Sequence, residues 1–300
     1  MRLRIGTRRS ALALAQAEET RRRLVATAGV AEEDAVLVPL SSRGDDSAAP
    51  IASLGTKGAF TEALERALLD GEIDLAVHSL KDLPVDARKD LAIGAVLERE
   101  DARDVHVSSD GTRLMALPSG LSVGTGSPRR RAFLRAARPD LVAVDIRGNV
   151  DTRLAKVASG APPSILLAAA GLRRLSLYDP RTMEALPLDD FLPAPGQGAI
   201  AIEIRAGDRA AADLVRRLDH PPTRVAVETE RAVLRGLGGG CLLPLGAFAE
   251  VLPGGRRLDL RAALLPAGEG KGLVRARVEA AVEDAEAAAL AAARRLLAGG

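Results

Sequence analysis

The chain has no tryptophan, one tyrosine and four phenylalanines among its 300 residues. Its cores must therefore be built from Ala, Leu, Val and Ile, and the aromatic platforms on which single-stranded nucleic acids stack are nearly absent. A single cysteine, Cys241, excludes an intramolecular disulfide and a cysteine-built metal site. The three histidines, His78, His106 and His220, have no metal-ligand spacing, so no metal is expected. No run approaches the ~20 apolar residues of a membrane span, and no basic-then-hydrophobic leader opens the chain. Neither a membrane nor a nucleic acid is therefore expected as a partner. The lone thiol suits a reducing compartment, and the cytoplasm is the expected location. Lysine is scarce as well, five residues against thirty-seven arginines, so a lysine inside a motif stands out.

What is present is apolar content of 47%, enough for real cores, in a length that accommodates two or three domains. Strand and helix patterns alternate from the start. Leu3 to Gly6 reads as a strand, and Ser10 as the N-cap of a helix running to Ala28. A strand over Ala35 to Leu40 is followed by a polar stretch, Ser41 to Lys57, of the kind that often serves as a lid. Phe60 to Leu69 returns to helical period, and Ile73 to Val77 is the next strand. A second unit of the same kind begins near Arg103. In it Val123 closes a strand, Ser127 caps a helix and Pro128 takes the first helical position. Strands over Leu141 to Asp145 and Ile165 to Ala169 flank a helix over Val150 to Ala158.

This alternation predicts α/β sheets. The turns Gly6-Thr7-Arg8-Arg9-Ser10 and Gly124-Thr125-Gly126-Ser127 suggest two similar domains facing a cleft. After the break at Pro193 to Gly198 come a strand over Ala199 to Ile204 and helices over Arg209 to Leu218 and Thr223 to Leu234. Three β-like runs (Leu245 to Val251, Leu258 to Leu265, Val274 to Val278) and an Ala-rich helix, Asp284 to Leu297, predict a small α+β third domain.

Candidate chemistry sits at the turns. Arg8 and Arg9 stand at one predicted helix N-terminus, and Arg129, Arg130 and Arg131 at another, where cations are unfavourable unless an anion offsets them. Arg147 lies just past a strand end and Arg153 about a turn further on, and ligands of open α/β sheets bind beyond such ends. Guanidinium forks fit carboxylates as well as phosphates, and neither a Walker loop nor GxGxxG is present. Lys81 and Asp82 follow the strand that ends at Val77. They read either as a plain salt bridge or as a substrate-holding lysine beside a carboxylate that stabilises a cation or moves a proton. Cys241, after three glycines, is either a small buried side chain or an attachment point.

Ten segments in order resemble the hydroxymethylbilane synthase (porphobilinogen deaminase) family over essentially the whole length. The most specific are Ala-Val-His-Ser-Leu-Lys-Asp-Leu-Pro (76–84), Gly-Thr-Gly-Ser-Pro-Arg-Arg (124–130), Arg-Gly-Asn-Val (147–150), Pro-Gly-Gln-Gly-Ala (195–199) and Gly-Gly-Cys-Leu-Leu-Pro-Leu-Gly (239–246). The resemblance implies two periplasmic-binding-protein-like α/β domains flanking a cleft plus a small α+β C-terminal domain. Domain 1 would comprise 1–98 and 197–216, with a lid over 44–57. Domain 2 would comprise 99–196, and domain 3 217–300.

The family's activity is the head-to-tail condensation of four porphobilinogen molecules on a dipyrromethane cofactor, with loss of ammonia at each addition and hydrolytic release of hydroxymethylbilane. Carried over by matching position, Cys241 bears the cofactor through a thioether. Asp82 is the catalytic carboxylate, and Lys81, Thr125, Ser127, Arg129, Arg130 and Arg147 contact the cofactor. Arg8, Ser10, Lys57, Phe60, Arg153, Arg174 and Gln197 contact substrate, and a monomer is implied. Two positions depart from the family pattern: Ser53 replaces a lid lysine, and Pro128 stands where leucine is usual. The competing reading is a non-enzymatic polycarboxylate-binding module of periplasmic-binding type, which leaves the Gly-Gly-Cys loop and Asp82 unexplained.

Overall fold

Two strand-to-helix turns of like design organise the molecule, one in each half. The computed structural model describes residues 2–41, 61–86, 88–239, 243–266 and 272–299. The chain divides into two compact units, residues 1–100 with 199–224, and residues 101–198 with 225–300.

In the first unit β1 (Leu3–Arg8) leads to Ser10, whose hydroxyl accepts from the Ala13 amide and starts α1 (Ala11–Ala28). This satisfies one of the amides that a helix start leaves without a partner. Next come β2 (Ala35–Leu40), α2 (Glu62–Leu69), β3 (Leu75–Ser79) and β4 (Leu91–Val96). The chain later returns as β10 (Ile200–Arg205) and α6 (Arg209–Val215). The sheet order is β2-β1-β3-β10-β4, with β1 parallel to β2 and β3, and β10 antiparallel to both its neighbours. Ile5, Leu75, Val77, Ile200 and Ile202 pack with Leu24 and Val215 on one face. On the other face Ala76 meets Leu64, Leu68 and Ile73. Each fully buried Leu or Ile contributes about 2 kcal/mol by leaving water.

The second unit repeats this arrangement of its sheet with a different chain order. It contains β5 (Asp104–Ser108), β6 (Ser122–Gly124), α3 (Pro128–Ala137), β7 (Val142–Val144), α4 (Val150–Ala158), β8 (Ser164–Ala168), α5 (Ala169–Arg174) and β9 (Met183–Ala185). Its sheet runs β7-β6-β8-β5-β9, again three parallel strands and then one antiparallel strand. In the first sheet the antiparallel strand is the last of the unit to be made. In the second it is the first. Phe133 and Phe191, two of the four phenylalanines, meet at 6.1 Å in its core.

Farther along are α7 (Pro221–Gly236), the antiparallel strands β11 (Leu245–Val251), β12 (Arg257–Leu264) and β13 (Val274–Ala281), and α8 (Ala285–Ala298). One face of this sheet buries Leu245, Leu258 and Leu260 with residues of α7 and α8. The other is ionic, with Arg277 on Asp259 at 2.8 Å and Arg261 on Glu250 at 2.6 Å.

The expected α/β class with a small α+β region is therefore observed. Ala35–Leu40, Val150–Ala158 and Leu245–Val251 match the expected bounds to the residue. Residues 165–169, expected as one strand, instead divide between β8 and the start of α5. β4, β5 and β9 have no counterpart in the sequence reading. β5 alternates Asp104, Val105, His106, Val107 and Ser108, a pattern that suggests one wet face, yet all five side chains are buried.

Candidate active site

In each sheet the predicted residues cluster where parallel strands end. β1 and β3 are parallel neighbours, so Arg8 and Ser10 come to lie near the short helical turn Leu80–Asp82. A pocket there is lined by Arg8, Ser10, Gln16, Thr61, His78, Ser79 and Asp82. Arg8 and Ser10 are half-buried and Asp82 is exposed. The turn that presents Asp82 is anchored by backbone bonds, Leu80 N–H to the Ala199 carbonyl at 3.0 Å and Leu83 N–H to the Leu80 carbonyl at 3.1 Å. The Gln16 amide and the Ser79 hydroxyl hold each other at 2.8 to 3.0 Å. Thr61 Oγ1 is buried with no hydrogen-bond partner among the described residues.

Gln16, Thr61, His78 and Ser79 were not picked out from the sequence as site residues. The signal available was family-like segments: Leu-Ala-Gln (14–16), one of the ten, contains Gln16, and the segment 76–84 contains His78 and Ser79. Lys81 is half-buried and is not among the pocket's lining residues.

In the second unit β7, β6 and β8 end side by side, and their loops carry the other candidates. Ser127 Oγ accepts from the Arg130 amide at 3.4 Å and Thr125 Oγ1 from the Ser127 amide at 3.2 Å, so both hydroxyls shape the start of α3. Arg129 and Arg130 turn inward to Asp104, a fully buried carboxylate at the start of β5. Burial alone would raise the Asp104 pKa. The charges and hydrogen bonds of the two guanidiniums outweigh it and hold the carboxyl well below its usual range. Gln197 also reaches Asp104, at 2.9 Å, and donates to the Ala102 carbonyl at 2.8 Å. Its turn is held by buried Glu230, which accepts from the Gly196 amide at 2.7 Å.

Arg147 precedes Gly148, whose φ of +109° and near contact with Thr152 exclude a side chain there. The Arg147 carbonyl accepts from Lys156 Nζ at 3.0 Å, and Arg153 Nε donates to the Gly148 carbonyl at 2.8 Å. The Arg153 pKa lies below its usual value, first because of burial and then because of the positive charges of Arg130 and Arg147. Three guanidiniums therefore crowd one region, an arrangement that suits a polyanion. Arg174 donates to the Gly198 carbonyl at 3.0 Å. Cys241, Lys57, Phe60 and the lid over 44–57 lie outside the described residues.

Residues 3–213 match the family model described as porphobilinogen deaminase, dipyromethane cofactor binding domain, and residues 225–298 match the porphobilinogen deaminase C-terminal domain. The chain belongs to the porphobilinogen deaminase family. A porphobilinogen deaminase of Thermus thermophilus is 47% identical over 293 residues, covering 98% of this chain and 94% of that protein. One of Moorella thermoacetica is 49% identical over 265 residues, covering 88% and 83%. Among solved structures, the second substrate binding domain of a putative amino acid ABC transporter from Streptococcus pneumoniae covers 79% of this chain and 95% of its own. The two are 11% identical, with a TM-score of 0.44.

The family, the deaminase activity, the transferase class and the dipyrromethane cofactor expected from the sequence all stand. The donor set fits that cofactor, because crowded guanidiniums, two of them sharing the one carboxylate of Asp104, suit a group bearing several carboxylates. No described helix is long and apolar enough to cross a membrane. Among the described residues no three His, Cys, Asp or Glu side chains group as a metal site.

Proposed function

We propose that the chain is a hydroxymethylbilane synthase that joins four porphobilinogen molecules head to tail, loses ammonia at each addition and releases the linear tetrapyrrole by hydrolysis. The observation that carries this reading is the pocket in which an exposed carboxylate, Asp82, shares a wall with a guanidinium, Arg8, and a hydroxyl, Ser10. Porphobilinogen needs both kinds of group. Its acetate and propionate arms call for a cation and donors, for which Arg8 and Ser10 are suited. Its pyrrole nitrogen gains positive charge as ammonia leaves, and an ionised Asp82 stabilises that charge and accepts the proton that must later depart.

A bound dipyrromethane supplies the primer to which the first unit is joined. Cys241 is the residue we assign to its thioether. Thr125, Ser127, Arg129, Arg130, Arg147 and Lys81 would hold its carboxylates, directly or through the geometry they impose. Arg153, Arg174, Gln197, Lys57 and Phe60 are assigned to the substrate side. The crowding of Arg130, Arg147 and Arg153 supports this, since a polycarboxylate relieves their mutual repulsion. The proposal includes three domains (1–98 with 197–216, 99–196 and 217–300), a cytoplasmic location and a monomeric state. The separate match of residues 225–298 supports a distinct C-terminal domain.

Intact-mass measurement tests the anchor. The purified chain should carry one dipyrromethane-sized adduct that maps to Cys241, and Cys241→Ser should carry none. An adduct of the same mass on the serine variant would defeat the assignment.

A further inference from the structure

The inward hydrogen bonds of the second-unit arginine pair end on one carboxylate or on a backbone carbonyl. Asp104 Oδ1 accepts from Arg129 Nη2 at 3.1 Å, from Arg130 Nε and Nη2 at 3.0 and 2.8 Å, and from Gln197 Nε2 at 2.9 Å. Oδ2 accepts from Arg129 Nη1 at 2.6 Å. The remaining inward bonds go to the Leu192 carbonyl, from Arg129 Nη1 at 2.7 Å, and to the Leu166 carbonyl, from Arg130 Nη1 at 2.9 Å.

A guanidinium has five N–H groups. Arg130 thus keeps one N–H on each Nη beyond these bonds. Arg129 keeps its Nε–H, which is buried with no hydrogen-bond partner among the described residues, and one on Nη2. The mount is rigid. Asp104 opens β5, which pairs with β8 through Asp104 and Ala168, and its own carbonyl accepts from the Leu186 amide at 2.9 Å. Two guanidiniums against one carboxylate leave the node with one net positive charge, and that charge reaches Arg153.

We infer that Asp104 is the positioning residue of this cluster: it fixes the planes of Arg129 and Arg130 and sets the charge that they present to an anionic ligand. A carboxylate is required because five donors converge on it. An amide would offer one acceptor oxygen and set its own N–H groups against the guanidiniums. Dry arginines without this counter-charge would swing outward, and the ligand would meet a larger but disordered charge.

The inference rests on the proposed function, since its ligand is the dipyrromethane carboxylates. The test is Asp104→Asn in the full chain, scored by the fraction carrying the covalent adduct and by kcat and KM for porphobilinogen in the loaded fraction. Adduct loading should fall at least fivefold, and KM should rise about tenfold with kcat within about threefold of wild type. If Asp104→Asn does not fold, Asp104→Glu takes its place. It keeps the charge but displaces the oxygens, and should restore most of the loading while leaving KM several-fold high. Loading and KM equal to wild type in whichever variant folds overturn the inference, even where that variant melts earlier. A wild-type chain without an adduct would instead refute the proposed function.

Discussion

The two strand-to-helix turns begin alike and end differently. At Ser10 the arginines precede the cap, and Arg8 lies half-buried on the wall of a pocket shared with an exposed Asp82. At Ser127 the arginines follow the cap, so Arg129 and Arg130 occupy the first turn of α3, where helical geometry points them down onto β5 and Asp104. Cations at a helix start demand an anion. Neither helix carries an acidic residue in its first turn, and the second turn finds part of that anion in Asp104. One unit thus keeps its carboxylate at the surface, and the other buries its carboxylate to discipline its arginines.

The sharpest way to break this comparison is to remove each carboxylate. Asp82→Ala should lower turnover by about 10³-fold while leaving stability within about 0.5 kcal/mol, since an exposed side chain at a turn carries little packing. Asp104→Ala should do the reverse in kind and destabilise the fold by about 3–5 kcal/mol, because it leaves two dry guanidiniums without their counter-charge. Urea unfolding beside a porphobilinogen turnover assay measures both. If Asp82→Ala proves the less stable of the two, the contrast between surface and buried carboxylates is wrong.

A smaller effect separates the units by pH. His106 on β5 is buried beside Ser164, with Nε2 and Oγ 2.5 Å apart, and burial, then the charge of Arg113, pushes its pKa from the usual 6.5 down to about 4. The folded state therefore holds the neutral ring while the unfolded chain takes up a proton. Stability is full above about pH 6.5 and declines as the pH falls toward about 4, by at most about 3 kcal/mol. In urea melts between pH 7.5 and 4.5, His106→Gln should flatten that slope although it starts less stable. An unchanged slope would assign the acid sensitivity to other groups.

Much of this was legible in the sequence because short-range chemistry governs it. Ser10, Ser127 and Pro128 announce helix starts by their own hydrogen-bonding capacity or lack of it, and both helices begin where expected. The candidates at strand ends fell together because parallel neighbours bring their C-terminal ends to one edge. Asp104 was not legible. It lies twenty-five residues from Arg129 on a strand whose polar alternation suggests exposure, and only the β5–β8 pairing carries it under α3. Gln16 and Thr61 were missed for a related reason. Each is an ordinary polar residue until β1 and β3 bring its helix to the Asp82 turn.

The finest test of the comparison is the pair of caps. Ser10 Oγ accepts from the Ala13 amide at 3.3 Å, and Ser127 Oγ from the Arg130 amide at 3.4 Å. Bonds so long and so similar should be worth the same modest amount, so Ser10→Ala and Ser127→Ala should each cost about 0.5–1 kcal/mol in urea melts. Their kinetic effects should differ. Ser10 lines the pocket that contains Asp82, and loss of its hydroxyl should raise KM for porphobilinogen about threefold with the adduct intact. Ser127 holds the first turn of α3, from which Arg130 reaches Asp104, and its loss should appear in the fraction of chains that acquire the adduct. If the two variants lose stability equally and also shift KM and loading equally, the turns do the same job, and the difference between a presented and a disciplined arginine disappears.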